Sequence, residues 1–196
     1  MMKYPISNPG VFRTVQGEGA LLGVPMTFVR LGGCSVGCAG CDTNYAVSSR
    51  ATAPEIAAMV RTLRRTEWVF VTGGEPADHD LLPLLEELRL CGQIALVTSG
   101  HKSLGAAGRL IDFLSVSPHG TPAKLVLTRG SQVNLVPGLN GLRLADWEDF
   151  GWDGFTHRYV TPLAGSAESL GECLAWLETH PGWRLGCQAH KLWGLP

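Results

Sequence analysis

Three cysteines, Cys34, Cys38 and Cys41, stand at C-x3-C-x2-C spacing on a glycine-rich stretch. This spacing allows three thiolates to reach a common point. A structural zinc site normally has four protein ligands, often as two separated pairs, whereas this loop offers three. A 4Fe-4S cluster normally takes four cysteines, so three would leave one iron open. The spacing therefore favours an iron-sulfur cluster that can bind a substrate or cofactor at its open iron.

Two other interpretations of the three cysteines stay open at this point. They could be small buried thiols on a tight turn. They could also bind zinc if Cys91, Cys173, Cys187 or a histidine supplied a fourth ligand. The chain shows no export signal, so its six cysteines are more typical of metal binding or burial than of disulfides.

Length and composition limit the possible protein classes. The 196 residues suit one domain, residues 1–196, with a sizeable core. Sixteen basic and seventeen acidic residues nearly balance, so bulk charge selects neither nucleic acid nor an anionic membrane as a partner. No apolar run approaches the roughly 18 residues of a membrane span, and the N-terminal MMKYPISNPG lacks a signal peptide's apolar core. We expect a cytoplasmic protein that binds neither nucleic acid nor membrane.

Apolar strands alternate with helices along most of the chain. A Thr52-x-x-Glu55 capping box with Pro54 in the first turn predicts a helix through about Arg65. The other predicted helices are Leu81–Leu90, Ser103–Arg109 and Ser166–His180. The predicted strands are Pro25–Leu31, Trp68–Pro76, Gln93–Gly100, Asp112–Gly120, Lys124–Thr128 and Phe155–Leu163, and Trp183–Leu192 completes the series. Residues 11–19 are predicted as a hairpin loop, and the stretch between Thr128 and Phe155 as irregular.

This alternation predicts an α/β fold with a parallel sheet. Five or six strand-helix units are fewer than the eight of a closed barrel, so we expect an open, partial TIM-like barrel of about six parallel strands. Ligands of such sheets lie at the carboxyl ends of the strands. The segments that fall there are Cys34–Cys41, Gly73–Glu75, Thr98–Gly100, Ser117–His119 and Thr161.

Two of these segments resemble the radical S-adenosylmethionine (SAM) superfamily: the cysteine triad, and Gly73-Gly74-Glu75 as its Gly-Gly-Glu motif. Glycine lets a peptide edge approach a ligand closely, and a carboxylate can pair with the amino group of SAM. The resemblance implies a 4Fe-4S cluster on the three cysteines. It also implies SAM contacts from Gly40, Cys41, Asp42, Gly73, Gly74, Glu75, Ser117, Pro118, His119, Tyr159, Val160, Thr161 and Pro162.

Further segments resemble one family within that superfamily. They are Gln16-Gly17-Glu18-Gly19, Arg30, Cys41-Asp42-Thr43, Ser117-Pro118-His119 and Gln188-x-His190-Lys191. Together they are similar to the 7-carboxy-7-deazaguanine synthases, radical SAM lyases of queuosine and other deazapurine biosynthesis. The resemblance implies conversion of 6-carboxy-5,6,7,8-tetrahydropterin to 7-carboxy-7-deazaguanine, with loss of ammonia and a requirement for Mg2+.

The resemblance also implies roles for individual residues. Thr43 would be a protein ligand of Mg2+, an ion that prefers oxygen. The cluster and SAM would produce a radical that takes hydrogen from C6 of the pterin, and radical ring contraction would follow, so we expect no catalytic side chain. Flavodoxin or ferredoxin would donate the electron, and the protein would be a homodimer. The residues expected to bind substrate are Val15, Gln16, Gly17, Glu18, Arg30 and Thr72.

The chain departs from the family pattern at two positions. Gly40 stands where radical SAM loops commonly carry an aromatic residue, and Val97 stands where the family usually has glutamate. A glutamate could accept both N–H groups of the pterin's pyrimidinone edge, whereas valine accepts nothing. Pro196 ends the given sequence after an apolar segment, and our hypothesis is that its carboxylate binds substrate instead.

Two other functions compete with the synthase. A glycyl-radical activating enzyme also carries C-x3-C-x2-C, but it would act on a protein and would need neither Gln16–Gly19 nor Thr43. A zinc-binding structural or interaction module would hold zinc without sulfide. Metal and sulfide analysis separates that module from both enzymes.

Overall fold

The computed structural model describes residues 2–39, 41, 43–63 and 65–196. Across these residues nine strands form one sheet, accompanied by four α-helices. The strands are β1 (Lys3–Val15), β2 (Pro25–Leu31), β3 (Ser49–Thr52), β4 (Trp68–Gly73), β5 (Gln93–Thr98), β6 (Phe113–Val116), β7 (Gly130–Leu135), β8 (Phe155–Val160) and β9 (Trp183–Leu185). The helices are α1 (Ala53–Thr62), α2 (Leu82–Leu88), α3 (Ala167–Thr179) and α4 (Ala189–Leu192).

The strand order is β3-β1-β2-β4-β5-β6-β7-β8-β9. Within the described chain, seven neighbouring strands, β2 and β4 to β9, run parallel. Strand β1 is antiparallel to both β2 and β3. The sheet is open, because β3 and β9 are its two edges. The predicted α/β fold with an open, mostly parallel partial barrel is confirmed.

Side chains alternate between the two faces of the central strands, as the pleat requires. In β2, Val29 and Leu31 are fully buried in one core with residues of α1 and α2. Met26 and Phe28 belong to a second cluster with Phe70 of β4. One face of the sheet therefore packs on helices, and the other is available to line a cavity.

Helix α1 begins at the predicted capping box. The Thr52 backbone N–H donates to Glu55 Oε2 at 2.7 Å, and Pro54 lies in the first turn. This satisfies one of the N–H groups that a helix start leaves unpaired. Hydrogen bonds from the backbone and the hydroxyl of Thr52 hold the pKa of Glu55 below its usual range.

The C-terminal half has its own aromatic core. Trp152 packs edge-on against Trp183 with ring centroids 4.9 Å apart, and Trp183 packs edge-on against Trp176 of α3. Trp147 and Phe155 are also buried there. This cluster fixes β8, β9 and α3 against one another, and it shows that Trp176 and Trp183 are core residues.

Several predicted elements were wrong at the N-terminal side and in the middle of the chain. Residues 11–15 belong to β1 and not to a loop, because they pair in register with β2. Residues 124–128 are not a strand, and the neighbouring strand is β7, which lies in the stretch predicted as irregular. Strand β7 carries Gln132 and Asn134, whose polar side chains are paired inside the fold, so it lacks the apolar run that marks a buried strand.

Other elements differ in type or length. The predicted helix Ser103–Arg109 is a 3-10 turn at Gly105–Leu110, since its two glycines disfavour a regular helix. The segment Trp183–Leu192 is strand only in β9, and α4 follows. Strand β3 was not predicted. Strand β2 has the predicted bounds, whereas α1, α2, α3, β4, β5, β6 and β8 are shorter than predicted at their ends. No helix in the described ranges has the length and hydrophobicity to cross a membrane.

We expect Leu84→Ala to lower the free energy of unfolding by about 2–5 kcal/mol, because the side chain is fully buried between α2 and the sheet. The control is Leu90→Ala, at a side chain that is 76% exposed. Anaerobic urea unfolding monitored by circular dichroism would measure both. Equal stability of the two variants would contradict this description of the core.

Candidate active site

A row of side chains crosses the cavity face of the sheet. Register pairs Arg30 with Thr72, Val97 with Ser115, and Ser115 with Gln132. Thr72 and Val97 follow the paired residues Val71 and Leu96 directly, so they continue the same row. Four of these five residues are polar. We refer to the set, Arg30, Thr72, Val97, Ser115 and Gln132, as the polar row.

An aromatic layer lies one pleat nearer the amino ends of the strands. Phe28, Phe70 and Phe113 belong to it, with Phe28 packing edge-on against Phe70 at 4.9 Å between centroids. These aromatic rings and the polar row line one cavity of about 480 Å³. An apolar base below polar side chains suits a flat, polar heterocycle of small size.

The cavity is closed on one side by the loop after β1. Gln16 is held by two backbone hydrogen bonds with Gly23 and Val24, and its side-chain Oε1 accepts from the Glu18 N–H at 3.1 Å. Gln132 of the polar row accepts from the Ala20 N–H at 2.7 Å and donates to Ser115 Oγ at 3.0 Å. The loop is therefore fastened to the sheet across the cavity.

The segment 188–196 closes the cavity from another side. The Ala189 N–H donates to the Gly17 carbonyl at 2.9 Å, and Gln188 Nε2 donates to Glu18 Oε1 at 2.9 Å. A Cβ on Gly17 would lie 2.4 Å from His190 Nδ1, so only glycine permits this packing. The segment turns back at Gly194, where φ is +63°, and its final residue, Pro196, lines the cavity.

A second cavity of about 280 Å³ adjoins the first and is lined by Cys34, Cys38 and Cys41. Residues common to the walls of both cavities are Glu18, Thr43, Thr72, Val97 and Lys191. The second cavity also contacts Gly73–Glu75, Ser117 and His119. A group held by the cysteines would therefore lie next to a molecule bound over the polar row.

The electrostatics of the cysteines suit a cationic group. Burial, together with the charges of Cys41 and Cys34, raises the pKa of the Cys38 thiol to about 11. His119 Nδ1 lies 3.4 Å from Cys38 Sγ, and burial lowers the pKa of that imidazole. Iron would relieve the repulsion among three thiolates, so the donor set fits an iron-sulfur centre.

The three thiols share a cavity without meeting at one point. Within residues 2–39, 41, 43–63 and 65–196, no three His, Cys, Asp or Glu side chains are arranged around a single metal-ion position. Of the fourth zinc ligands considered from the sequence, Cys91, Cys173 and Cys187 are absent from the described walls of this cavity, whereas one histidine, His119, lines it.

Glu75 is the most enclosed carboxylate of the second cavity, with 2% of its surface exposed. Its Oε1 accepts from Thr98 Oγ1 at 2.5 Å and from the Ala77 N–H at 2.9 Å. Its Oε2 accepts from the Ser99 N–H at 2.8 Å and from Ser99 Oγ at 2.5 Å. These four bonds fix the orientation of the carboxylate at the cavity wall.

The turn before Glu75 packs directly against the cysteine loop. The Gly74 N–H donates to the Leu31 carbonyl at 2.9 Å, and the Glu75 N–H donates to the Gly33 carbonyl at 3.2 Å. A Cβ on Gly74 would lie 1.7 Å from the Gly33 oxygen and 2.9 Å from Cys34 Cβ. Gly74 therefore allows the two segments to touch.

Most of the residues predicted from the sequence meet at these two cavities. The expected substrate-binding residues that line the first cavity are Val15, Gln16, Gly17, Glu18, Arg30, Thr72 and Pro196. The expected cluster and SAM residues that line the second are Cys34, Cys38, Cys41, Gly73, Gly74, Glu75, Ser117 and His119. Gly40 and Asp42 lie outside the described residues. All of these roles stay predictions.

Other predicted SAM residues lie behind the second cavity. Pro118, Tyr159, Val160, Thr161 and Pro162 do not belong to the lining of either cavity. Val160 is in the aromatic core, and Thr161 Oγ1 donates to Asn134 Oδ1 at 2.6 Å. Residues that do line this end of the cavity include Asn134, Val136, Leu139, Leu163 and Ala164.

The sequence reasoning did not assign Ser115, Gln132 or Asn134 to a site. All three are buried polar residues within strands. The available signal was a polar side chain at alternate positions of an otherwise apolar strand, as in Val133-Asn134-Leu135. Without the strand register, that signal could not be connected to a cavity.

Comparisons with known proteins agree with this geometry. No protein-family model matches the chain. It is 35% identical to the 7-carboxy-7-deazaguanine synthase of Synechocystis sp. over 209 residues, covering 99% of this chain and 94% of that protein. It is 31% identical to the synthase of Burkholderia multivorans over 219 residues, with both chains covered completely.

The chain belongs to the 7-carboxy-7-deazaguanine synthase family. The fold agrees with that assignment, since the crystal structure of QueE from Escherichia coli matches with a TM-score of 0.75 and 26% identity. The match covers 97% of this chain and 96% of that one. In this synthase-family chain, the two adjoining cavities are therefore the candidate active site.

We expect Gly74→Ala to displace the cysteine loop, because the added Cβ would overlap the Gly33 carbonyl. The cost to folding should be about 1–3 kcal/mol, and the variant should retain little iron after anaerobic reconstitution. Iron and sulfide per chain, with urea unfolding, measure both effects.

The matched control is Gly171→Ala on α3, where a Cβ would meet nothing within 4 Å. This exposed helical position should be stabilised by up to about 1 kcal/mol with unchanged iron content. Normal iron content in Gly74→Ala would show that the close contact is not required.

Proposed function

We propose that this enzyme converts 6-carboxy-5,6,7,8-tetrahydropterin to 7-carboxy-7-deazaguanine and ammonia. Family membership supports this reaction, and one structural observation supports it for this chain in particular. The cavity with three thiols and the cavity with the polar row share Glu18, Thr43, Thr72, Val97 and Lys191 as a common wall. A cofactor held by the cysteines would therefore lie next to a substrate bound over the polar row.

The cysteine cavity suits a 4Fe-4S cluster with SAM. Cys34, Cys38 and Cys41 would hold the cluster, and the Glu75 carboxylate, already fixed by four hydrogen bonds, would hold the amino group of SAM. When bound, cluster and cofactor supply one electron and a hydrogen-abstracting carbon radical. The protein's part is to place the reacting carbon and to exclude water.

The first cavity suits the pterin. Phe28, Phe70 and Phe113 supply an apolar base for the ring. The Arg30 guanidinium stands over the Phe12 ring at 4.9 Å, which fixes its direction and suits it to clamp the substrate carboxylate. Gln16, Glu18 and Thr72 would bind the polar edge, and Pro196, which lines the same cavity, would contribute to the same contact.

Thr43 is the proposed protein ligand of Mg2+. It lies in the wall between the cavities, so an ion at its hydroxyl could contact the substrate carboxylate. Mg2+ keeps several water ligands and needs few protein oxygens. A single hydroxyl supplied at this position is consistent with that preference.

The first cavity, with its apolar aromatic base and about 480 Å³ of space, suits a small molecule, and family membership argues against a glycyl-radical activating enzyme. Family membership argues against a zinc module. A protein electron donor, a homodimer, a single domain over residues 1–196 and a cytoplasmic location stay predictions.

The proposal is tested by anaerobic reconstitution with iron and sulfide, followed by SAM, Mg2+, a chemical reductant and the carboxytetrahydropterin. We expect the deazaguanine acid and ammonia in equal amounts by mass spectrometry and ammonia assay. Cys38→Ala should abolish product, whereas Cys187→Ala, at an exposed thiol outside both cavities, should retain it. SAM cleavage by loaded protein without product from this pterin would reject the proposed substrate.

We expect Arg30→Lys to raise the KM for the pterin by about tenfold or more, because a bidentate, charge-assisted contact would be lost. SAM cleavage in the absence of substrate should be unchanged. Arg13→Lys is the control, since Arg13 is exposed on β1 and does not line either cavity. An unchanged KM in Arg30→Lys would remove Arg30 from the substrate site.

A further inference from the structure

The cysteine loop is bound on its outer side by an acidic residue with no role assigned so far. Ser35, directly after Cys34, donates its backbone N–H to Asp78 Oδ2 at 2.7 Å and its hydroxyl to Asp78 Oδ1 at 2.7 Å. Both carboxylate oxygens thus accept a hydrogen bond from the same residue of the loop. A two-point contact of this kind fixes direction as well as distance.

Asp78 stands on a rigid turn. It is the last residue of the 3-10 turn Pro76–Asp78, whose N-cap is Glu75. The Asp78 N–H donates to the Glu75 carbonyl at 3.1 Å. Asp78 also forms an ion pair with Lys102. The turn that carries the proposed SAM-binding carboxylate therefore also holds the residue beside the first cysteine.

The charge state of Asp78 agrees with this contact. Burial alone would raise its pKa, but hydrogen bonds from Lys102 and from the hydroxyl and backbone of Ser35 outweigh burial and hold the pKa below its usual range. The carboxylate is therefore ionised at neutral pH and able to accept from Ser35.

A chain of polar contacts joins the same two segments by a second route. Ser35 Oγ lies 3.3 Å from His101 Nε2, and His101 Nδ1 lies 2.6 Å from Ser99 Oγ. Ser99 Oγ then donates to Glu75 Oε2 at 2.5 Å. The position of Ser35 is thus tied to Glu75 through side chains as well as through the turn.

We propose that Asp78 is a positioning residue that holds the Cys34 end of the cluster loop in register with the Glu75 carboxylate. This inference rests on the proposed radical SAM function. Gly33 and Gly37 take positive φ, which glycine adopts without steric cost. Cluster and SAM must meet at a defined distance, and groups around the ligands set that geometry. Asp78 acts through Ser35 and needs no contact with cluster or SAM.

The test compares Asp78→Asn with the unmodified protein after identical anaerobic reconstitution. Asparagine keeps the shape but only one acceptor oxygen and no charge. We expect about three- to tenfold faster loss of the cluster absorbance under chelator challenge, given the worth of a partly exposed charged hydrogen bond. We also expect weaker SAM binding and an altered change in the electron paramagnetic resonance signal of the reduced cluster on SAM addition.

Asp80→Asn is the matched control. Asp80 lies two residues further on, and its carboxylate accepts from the Leu82 N–H, away from the cysteine loop. Lys102→Gln removes the ion pair with Asp78 but keeps the hydrogen bonds between Asp78 and Ser35. The cluster lifetime of this variant should be close to normal. Ser35→Ala and the double variant test coupling, and their effects should be less than additive with those of Asp78→Asn.

The outcomes separate the inference from the proposed function. If the unmodified protein binds no iron-sulfur cluster, the proposed function fails. If it binds a cluster and SAM, but Asp78→Asn matches Asp80→Asn in cluster lifetime, SAM affinity and spectrum, the positioning role is rejected. Additive effects of Ser35→Ala and Asp78→Asn would reject the contact as its basis.

Discussion

The close contact between the Gly74 turn and the Gly33 backbone is the constraint on which the site depends. It lets the end of β4 and the end of β2 approach until the cysteine loop and the Glu75 carboxylate face one cavity. A side chain at Gly74 would force the two apart. Because parallel neighbours deliver both segments at the same edge of the sheet, the approach follows from the topology once that side chain is absent.

Because side chains alternate along each strand, the two faces of the sheet have different roles. Val29, Leu31 and Val71 face the helices and stabilise the fold by burial. The intervening residues of the same strands face the cavity, where Arg30 and Thr72 lie in one row. Buried polar groups are costly unless they are paired. Gln132 meets that condition through Ala20 and Ser115, so it can close the cavity without weakening β7.

Much of the architecture could be predicted from local patterns. The apolar run of β4, the capping box of α1 and the helix at α3 are signals contained within a few residues, and each element lies close to where it was expected. Strand β7 could not be found in that way, because its inward side chains are polar and their partners are distant in sequence. The segment 124–128 shows the converse. Its central residues are apolar, yet it forms no strand, and the position beside β6 in the sheet is occupied by β7.

Residue type and spacing alone predicted the kind of chemistry proposed for this site. Three closely spaced thiols specify soft metal ligands wherever the loop lies, and Gly73-Gly74-Glu75 specifies a close approach and a negative charge. Only the tertiary structure decided which residues share a cavity. Thr43 and Thr72 both line the common wall, and Gln188 donates a hydrogen bond to Glu18. The row from Arg30 to Gln132 forms because strand register is set by contacts between distant segments. Such contacts depend on packing of the whole sheet, and short-range sequence patterns carry no record of it.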